Sequence, residues 1–204
     1  MLPKTLLLPL LLTATTAALP HHGHDSDPAQ QPLPPGPSTT TTTGTTTELQ
    51  PATAVLHDGF WGPPGNICSA KTLQIFKSTT SSHPLSTMLK FQYPSAKYCW
   101  LDFEAPAVPA GTGREVDVFL QWAPVDTCPS EGNRRDAQVG RLEIPAGGGR
   151  AVWRAVYKEY LTSSRFPCPA AGKVEGIELV GVGDNEDIRW TQGKGKGVRI
   201  LYGN

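Results

Sequence analysis

The sequence predicts an all-β chain: an antiparallel β-sandwich of jelly-roll type, disulfide-stabilised and preceded by a disordered Pro/Thr-rich segment. Three observations carry this. Short runs of alternating apolar and polar residues recur through the body, clearest in Val116, Val118, Leu120, Trp122 and in Val198, Ile200, Tyr202. A period of two gives each run one buried and one wet face. Gly, Pro, Asn and Asp punctuate the runs, as turns between many short strands require. No run shows helical spacing with conviction, and only 153–161 reads either way.

The strands expected are 72–77, 87–93, 98–104, 115–122, 139–144, 151–158, 174–180, 188–191 and 198–202. They lie in a body running from 52 to 204, long enough to bury about 70% of its unfolded surface. Two regions precede it. Residues 1–18 read as a signal peptide: Lys4, then the leucine run 6–12 broken by Pro9, then small residues to a cleavage point after Ala18. A membrane span needs about 20 apolar residues, and this run is shorter. The C-terminal residues 198–204 lack the hydrophobic tail of a lipid-anchor signal. The expectation is a secreted, extracellular protein, with the cell wall as one destination and no membrane span after cleavage.

Residues 19–51 read as a linker. Pro32, Pro34, Pro35 and Pro37 stiffen its first half toward an extended form of about 3.1 Å per residue. Thr39, Thr40, Thr41, Thr42, Thr43, Thr45, Thr46 and Thr47 form a hydroxyl run of the kind that carries O-glycans on stalks. Apolar content is too low there to offset the entropy of ordering. No Asn-x-Ser/Thr sequon is present. His21, His22 and His24 are candidate metal ligands near the mature terminus. Pro20 has no amide N–H to give to a copper site built on His21, so an adventitious metal tail is the preferred reading.

Lysine plus arginine and aspartate plus glutamate number 18 each, so the formal charge is zero and no nucleic-acid footprint appears. Four cysteines, Cys68, Cys99, Cys128 and Cys168, suit an oxidising compartment and two disulfides, with three pairings open. Their wide spacing argues against zinc, and no cofactor is expected.

The sequence Tyr98-Cys99-Trp100-Leu101-Asp102-Phe103 followed by Pro106, then Phe166-Pro167-Cys168-Pro169, Gly183-Asp184, Trp190 and a terminal strand at 197–200, resembles a family of fungal secreted proteins. This is the But-type C-terminal domain family, named for a protein that binds an activating enzyme of a ubiquitin-like modifier. The resemblance runs from about 87 to 204. It implies a β-sandwich in secreted or wall-associated proteins without an assigned activity. The partner in the family name is intracellular, which conflicts with the secretory address here. The matched Cys99 and Cys168 imply one bridge, leaving Cys68 for Cys128.

Candidate sites compete with plainer readings. Asp184, Glu186 and Asp187 in a Gly-led turn offer oxygens for Ca²⁺, but such a turn is ordinarily solvated. Asp102 and Glu104 share a strand face, where paired carboxylates could hydrolyse glycosides; the wet face of a strand is the simpler account. His57 and His83 are isolated, and the serines before His83 lack a nucleophile elbow. Residues 193–197, Gly-Lys-Gly-Lys-Gly, lack the context of a phosphate loop and read as a hairpin tip. Of five tryptophans, Trp61 lies outside the strands and is the candidate carbohydrate contact. A non-catalytic extracellular or wall protein, with polysaccharide or an extracellular protein as partner, is therefore expected. A carbohydrate-binding module or carbohydrate-active enzyme, and a secreted effector, are the alternatives.

Overall fold

The computed structural model describes residues 46–59, 67–68 by backbone alone, 72–124 and 134–204. The strands are β1 (Thr47–Leu49), β2 (Thr53–Asp58), β3 (Ile67–Cys68), β4 (Thr72–Ser78), β5 (Leu85–Gln92), β6 (Tyr98–Ala105) and β7 (Glu115–Gln121). They continue as β8 (Arg135–Glu143), β9 (Gly149–Arg150), β10 (Val152–Val156), β11 (Val174–Gly181), β12 (Asn185–Thr191) and β13 (Gly197–Gly203). Among the described residues there is no helix, and so none long and apolar enough to cross a membrane.

Every strand pair is antiparallel. One sheet has the order β1-β13-β6-β9. The other runs β10-β8-β7-β11-β5-β2-β3, with β4 joining β5 to β12. The inner faces share one core. Cys99, Leu101, Phe103, Val198 and Ile200 come from the smaller sheet, and Val116, Val118, Leu89, Phe91, Ile177, Leu179 and Ile188 from the larger. Trp190 packs on Phe103 at 5.0 Å between ring centres. This is the sandwich that alternation demands: each strand turns its apolar set to the facing sheet.

All nine expected strands are present, with edges shifted by local chemistry. Strand β5 starts directly after Pro84, which has no N–H for a ladder. Strand β8 extends back to Arg135 because register shifts against β7 absorb its broken alternation. Residues 157–168 are not a helix. They run beside β6, with Leu101 N–H donating to the Leu161 carbonyl at 2.8 Å and Cys99 N–H to that of Phe166 at 3.0 Å. The Cys99–Cys168 disulfide staples this segment to β6, with 4.7 Å between Cα atoms. The side chains of Cys68 and Cys128 lie outside the described residues. Strand β1 begins at Thr47 and pairs with β13, so β-structure starts ahead of residue 52, and Thr47 is part of a ladder.

Candidate functional site

Strand β6 places Asp102 and Glu104 on the outer face of the smaller sheet, away from Leu101 and Phe103. They do share that face, as alternate positions must, but it is not wet at Asp102. The register sets Asp102 opposite Arg199 on β13. Arg199 Nη2 lies 2.5 Å from Asp102 Oδ2, an ion pair whose angles fall short of a hydrogen bond. Arg150 Nε lies 2.7 Å from Oδ1. Glu48 on β1 and Glu104 stand 3.7 and 4.0 Å from the same Arg199 guanidinium. Asp102 and Arg199 are both buried. A guanidinium group faces each oxygen of Asp102, so the carboxylate is engaged within the protein's own ion network.

Asp184, Glu186 and Asp187 do not converge. Alternation along β12 separates them: Glu186 goes inward with Ile188 and Trp190, while Asp187 goes outward with Arg189. Asp187 accepts from Gln74 and Arg189, each at 2.8 Å. Asp184 faces Lys77 at 3.9 Å. Glu186 lies against three glycines, because a Cβ at Gly113, Gly181 or Gly183 would stand 2.5, 2.7 or 2.9 Å from its carboxyl oxygens. Its Oε1 accepts the Gly183 N–H, and its Oε2 is buried without a partner. Burial raises the Glu186 pKa above 4.5, while N–H groups of Gly183 and Val182 and the charge of Lys77 oppose the shift. Among the described residues no cluster of three or more His, Cys, Asp or Glu is placed to hold a metal ion. His21, His22, His24, Trp61 and the threonines 39–45 lie outside the described residues.

His83 Nδ1 is 2.9 Å from Asp58 Oδ2, and His57 is buried on β2. The glycine-lysine tip closes as a tight turn, Lys196 N–H donating to the Gly193 carbonyl at 2.9 Å, as a hairpin requires. The tryptophans depart from expectation at one position. Strand β7 ends at Gln121, so Trp122 leaves the core-facing row of Val116 and Val118. It is 69% exposed, with the Arg134 guanidinium 5.7 Å from its ring centre. Trp190 is buried, and Trp100 and Trp153 are half-buried.

The larger sheet carries polar groups that sequence reasoning missed. On its outer face, Glu178 of β11 is completely buried. Its Oε1 accepts from Ser86 Oγ of β5 at 2.6 Å and from Arg135 Nη2 of β8 at 2.7 Å. Gln121 of β7, also buried, lies over Gly176 so closely that a Cβ there would come within 2.2 Å of its Oε1. Both oxygen and nitrogen of the Gln121 amide, and Glu178 Oε2, lack a hydrogen-bond partner. Phe119 pairs with Glu178 in register on this face, and the Arg135 guanidinium sits 5.5 Å from its ring centre. A small, shallow cleft of about 40 Å³ lies beside the group, lined by Phe76, Lys77, Leu85, Ser86, Arg135 and Val180 among others.

On the inner side of β11, Glu175 collects Tyr93 Oη at 2.9 Å, the Tyr160 hydroxyl, and Lys173 Nζ at 2.8 Å. Burial, then the Glu175 charge, raises the Tyr93 pKa far above the usual phenol range. Burial, then the hydrogen bond to Glu175, raises that of Tyr160. This cluster ties β11 to the segment that the disulfide staples.

No family model and no curated protein matches the chain.

Proposed function

We propose that this is a secreted, non-catalytic protein that works outside the cell or in its wall, carried on an extended glycosylated stalk. The single observation that supports it best is the fate of Asp102. The one carboxylate pair with a hydrolytic reading is spent on arginines, Asp102 on Arg199 and Arg150 and Glu104 beside Arg199. Glycoside hydrolysis needs one carboxyl group to give a proton and another to accept one or attack, across a gap open to sugar. An ion network closed by guanidiniums is the opposite arrangement. The Cys99–Cys168 bridge and the signal-like residues 1–18 favour the secretory route. The resemblance to the But-type domain gives the same address, in fungal secreted and wall-associated proteins.

The test is a tagged full chain expressed in a secreting fungal host. Recovery from medium or wall fraction, with a mature terminus at Leu19 and a mass that falls on O-glycan removal, is the expected outcome. Retention inside the cell with residues 1–18 intact sinks the proposal. So does release of soluble sugar from glucan or chitin that stops with Asp102→Ala.

A second reading, as a carbohydrate-binding module, is favoured by exposed Trp122. A tryptophan surface open to solvent is the kind of platform on which sugar rings stack. Pull-down on cellulose, chitin or β-glucan, abolished by Trp122→Ala or Trp61→Ala, supports it.

A further inference from the structure

Strand β4 leads to β5 through a run of five hydroxyl residues, Ser78-Thr79-Thr80-Ser81-Ser82, followed by His83 and Pro84. Gly, Asn and Asp, the commonest turn formers, are absent from this run. Hydroxyls shape the turn instead. The Ser81 N–H donates to the Ser78 carbonyl at 3.3 Å, which places Thr79 and Thr80 at the tip. Ser78 Oγ accepts the Thr80 N–H at 3.2 Å and shares a hydrogen bond with the Thr80 hydroxyl at 2.9 Å. Ser81 Oγ accepts the His83 N–H at 3.2 Å. Thr79 and Ser82 are left over. Both are exposed, and among the described residues neither hydroxyl makes a hydrogen bond. The backbone at Thr79 is nonetheless anchored, its N–H donating to the Asp184 carbonyl at 3.0 Å.

Clustered serine and threonine with nearby proline is the composition on which O-glycans are built. Pro84 biases His83 toward extended backbone, so the chain leaves Ser82 without coiling back over it. Other hydroxyls close by are unsuited. Ser86 and Thr87 are buried, bonded to Glu178 and to the Gln74 carbonyl, with no room for a sugar. Ser163 and Ser164 are exposed, but their segment bends through a positive φ of 56° at Leu161 and is held by the Cys99–Cys168 bridge. It cannot extend into a transferase.

We propose that Thr79 and Ser82 are O-glycosylation sites on the folded domain itself, each taking a neutral hexose. The hydroxyl oxygen attacks the anomeric carbon of a sugar-phosphate donor held by a glycosyltransferase. The bond from that carbon to the phosphate oxygen breaks as the glycosidic bond forms. The phosphate carrier leaves with the bonding pair, and the hydroxyl proton passes to a base of the transferase. Nothing is oxidised or reduced. The proposal rests on the secretory reading, because hexose is added to hydroxyls in this way along the secretory route.

The experiment sends the mature chain, 19–204, through a secreting fungal host behind the host's own leader. Entry to the route then does not depend on residues 1–18. Trypsin cuts after Lys77 and Lys90 and releases 78–90. Mass spectrometry that keeps sugars attached is expected to find hexose on Thr79, Ser82 or both, with Ser86 and Thr87 bare. The tryptic peptide 159–165 should also be bare. Thr79→Ala combined with Ser82→Ala should remove all hexose from 78–90 and leave the melting temperature unchanged, since neither hydroxyl bonds to the fold. Ser81→Ala should keep the hexose. A bare 78–90 overturns the proposal, as does hexose that persists there in the double variant. Equal hexose on 159–165 also overturns it, because exposure alone would then suffice. A bare 78–90 beside a glycosylated 19–71 sinks the loop site and leaves the stalk standing. The secretory reading is decided separately, by the fate of the chain behind its own residues 1–18.

Discussion

Asp102 on β6 and Arg199 on β13 stand directly opposite each other, 2.5 Å apart at their nearest oxygen and nitrogen, with side chains only 3% and 7% exposed. This pair lies on the face that the sequence assigns to water. Taking out one partner strands the other charge in a buried site. Asp102→Ala should therefore cost about 3–5 kcal/mol in urea unfolding. The double change Asp102→Leu with Arg199→Met should recover most of that loss, because two matched apolar groups leave no charge unpaired. Arg150→Ala should cost under about 1 kcal/mol, since Arg150 is 62% exposed and its attraction is screened. Equal losses for Asp102→Ala and Arg150→Ala would refute this ranking.

The Cys99–Cys168 bridge spans 69 residues and fixes the segment beside β6. Opening so long a loop returns conformational freedom to the unfolded chain, and the loop-closure estimate is about 4 kcal/mol. Replacing both cysteines by serine should lower stability by about 2–4 kcal/mol. Hydrogen exchange should rise first at the Leu101 and Cys99 amides, whose acceptors lie in the stapled segment. A double variant as stable as the parent would show that the bridge merely decorates a segment already held by Tyr160 and Glu175.

Glu175 gives an alkaline signature. Tyr93 and Tyr160 both donate to it, and both phenols are held protonated above their usual value of 10.0. The folded state keeps protons that the unfolded state releases, so stability falls as pH rises through 10 and beyond. Alkaline unfolding should begin near pH 10, followed by near-ultraviolet dichroism. Tyr93→Phe should remove part of the slope and lower stability at pH 7 by about 1–3 kcal/mol, since it takes one donor from a buried carboxylate. A slope unchanged in Tyr93→Phe contradicts the assignment.

The strands that were legible from sequence are those with one apolar and one polar face, such as Val116 to Leu120 and Val198 to Tyr202. Strand β2 was not, because Val55, Leu56 and His57 are all buried and the alternation disappears. Strands β1 and β9 are short and made of Thr-Glu-Leu and Gly-Arg, with nothing to mark them. The polar groups on the outer face of the larger sheet were hidden for a related reason. Glu178, between Ile177 and Leu179, has the look of an ordinary solvated position. In the fold that position is buried together with Val55 and Met88, its fully buried neighbours on the same outer face. Glu186 did carry a readable signal. It shares alternation with Ile188 and Trp190, and the cluster of turn-forming residues around it obscured that.

Glu186 supplies the last prediction, and its sign runs against the usual behaviour of carboxylates. Its folded pKa lies above 4.5, chiefly because burial disfavours the charged form. Between 4.5 and that raised value the folded state binds more protons than the unfolded state. Stability contributed by this group is therefore present in mild acid and lost as pH rises through the window. Urea midpoints should rise as pH falls toward 4.5 by an amount that Glu186→Gln removes. The glutamine keeps an oxygen for the Gly183 N–H, so the variant should fold and its curve should be flatter. The glycines give an independent check. Gly113→Ala places a Cβ 2.5 Å from Glu186 Oε1, and Gly181→Ala places one 2.7 Å from Oε2. Each should cost about 1–3 kcal/mol through overpacking. Shortening the acid in a Glu186→Ser background should relieve most of that cost, a coupling that a double-mutant cycle reads directly. Additive losses would mean that the glycines matter for their backbone alone, and that Glu186 does not fill the space they leave.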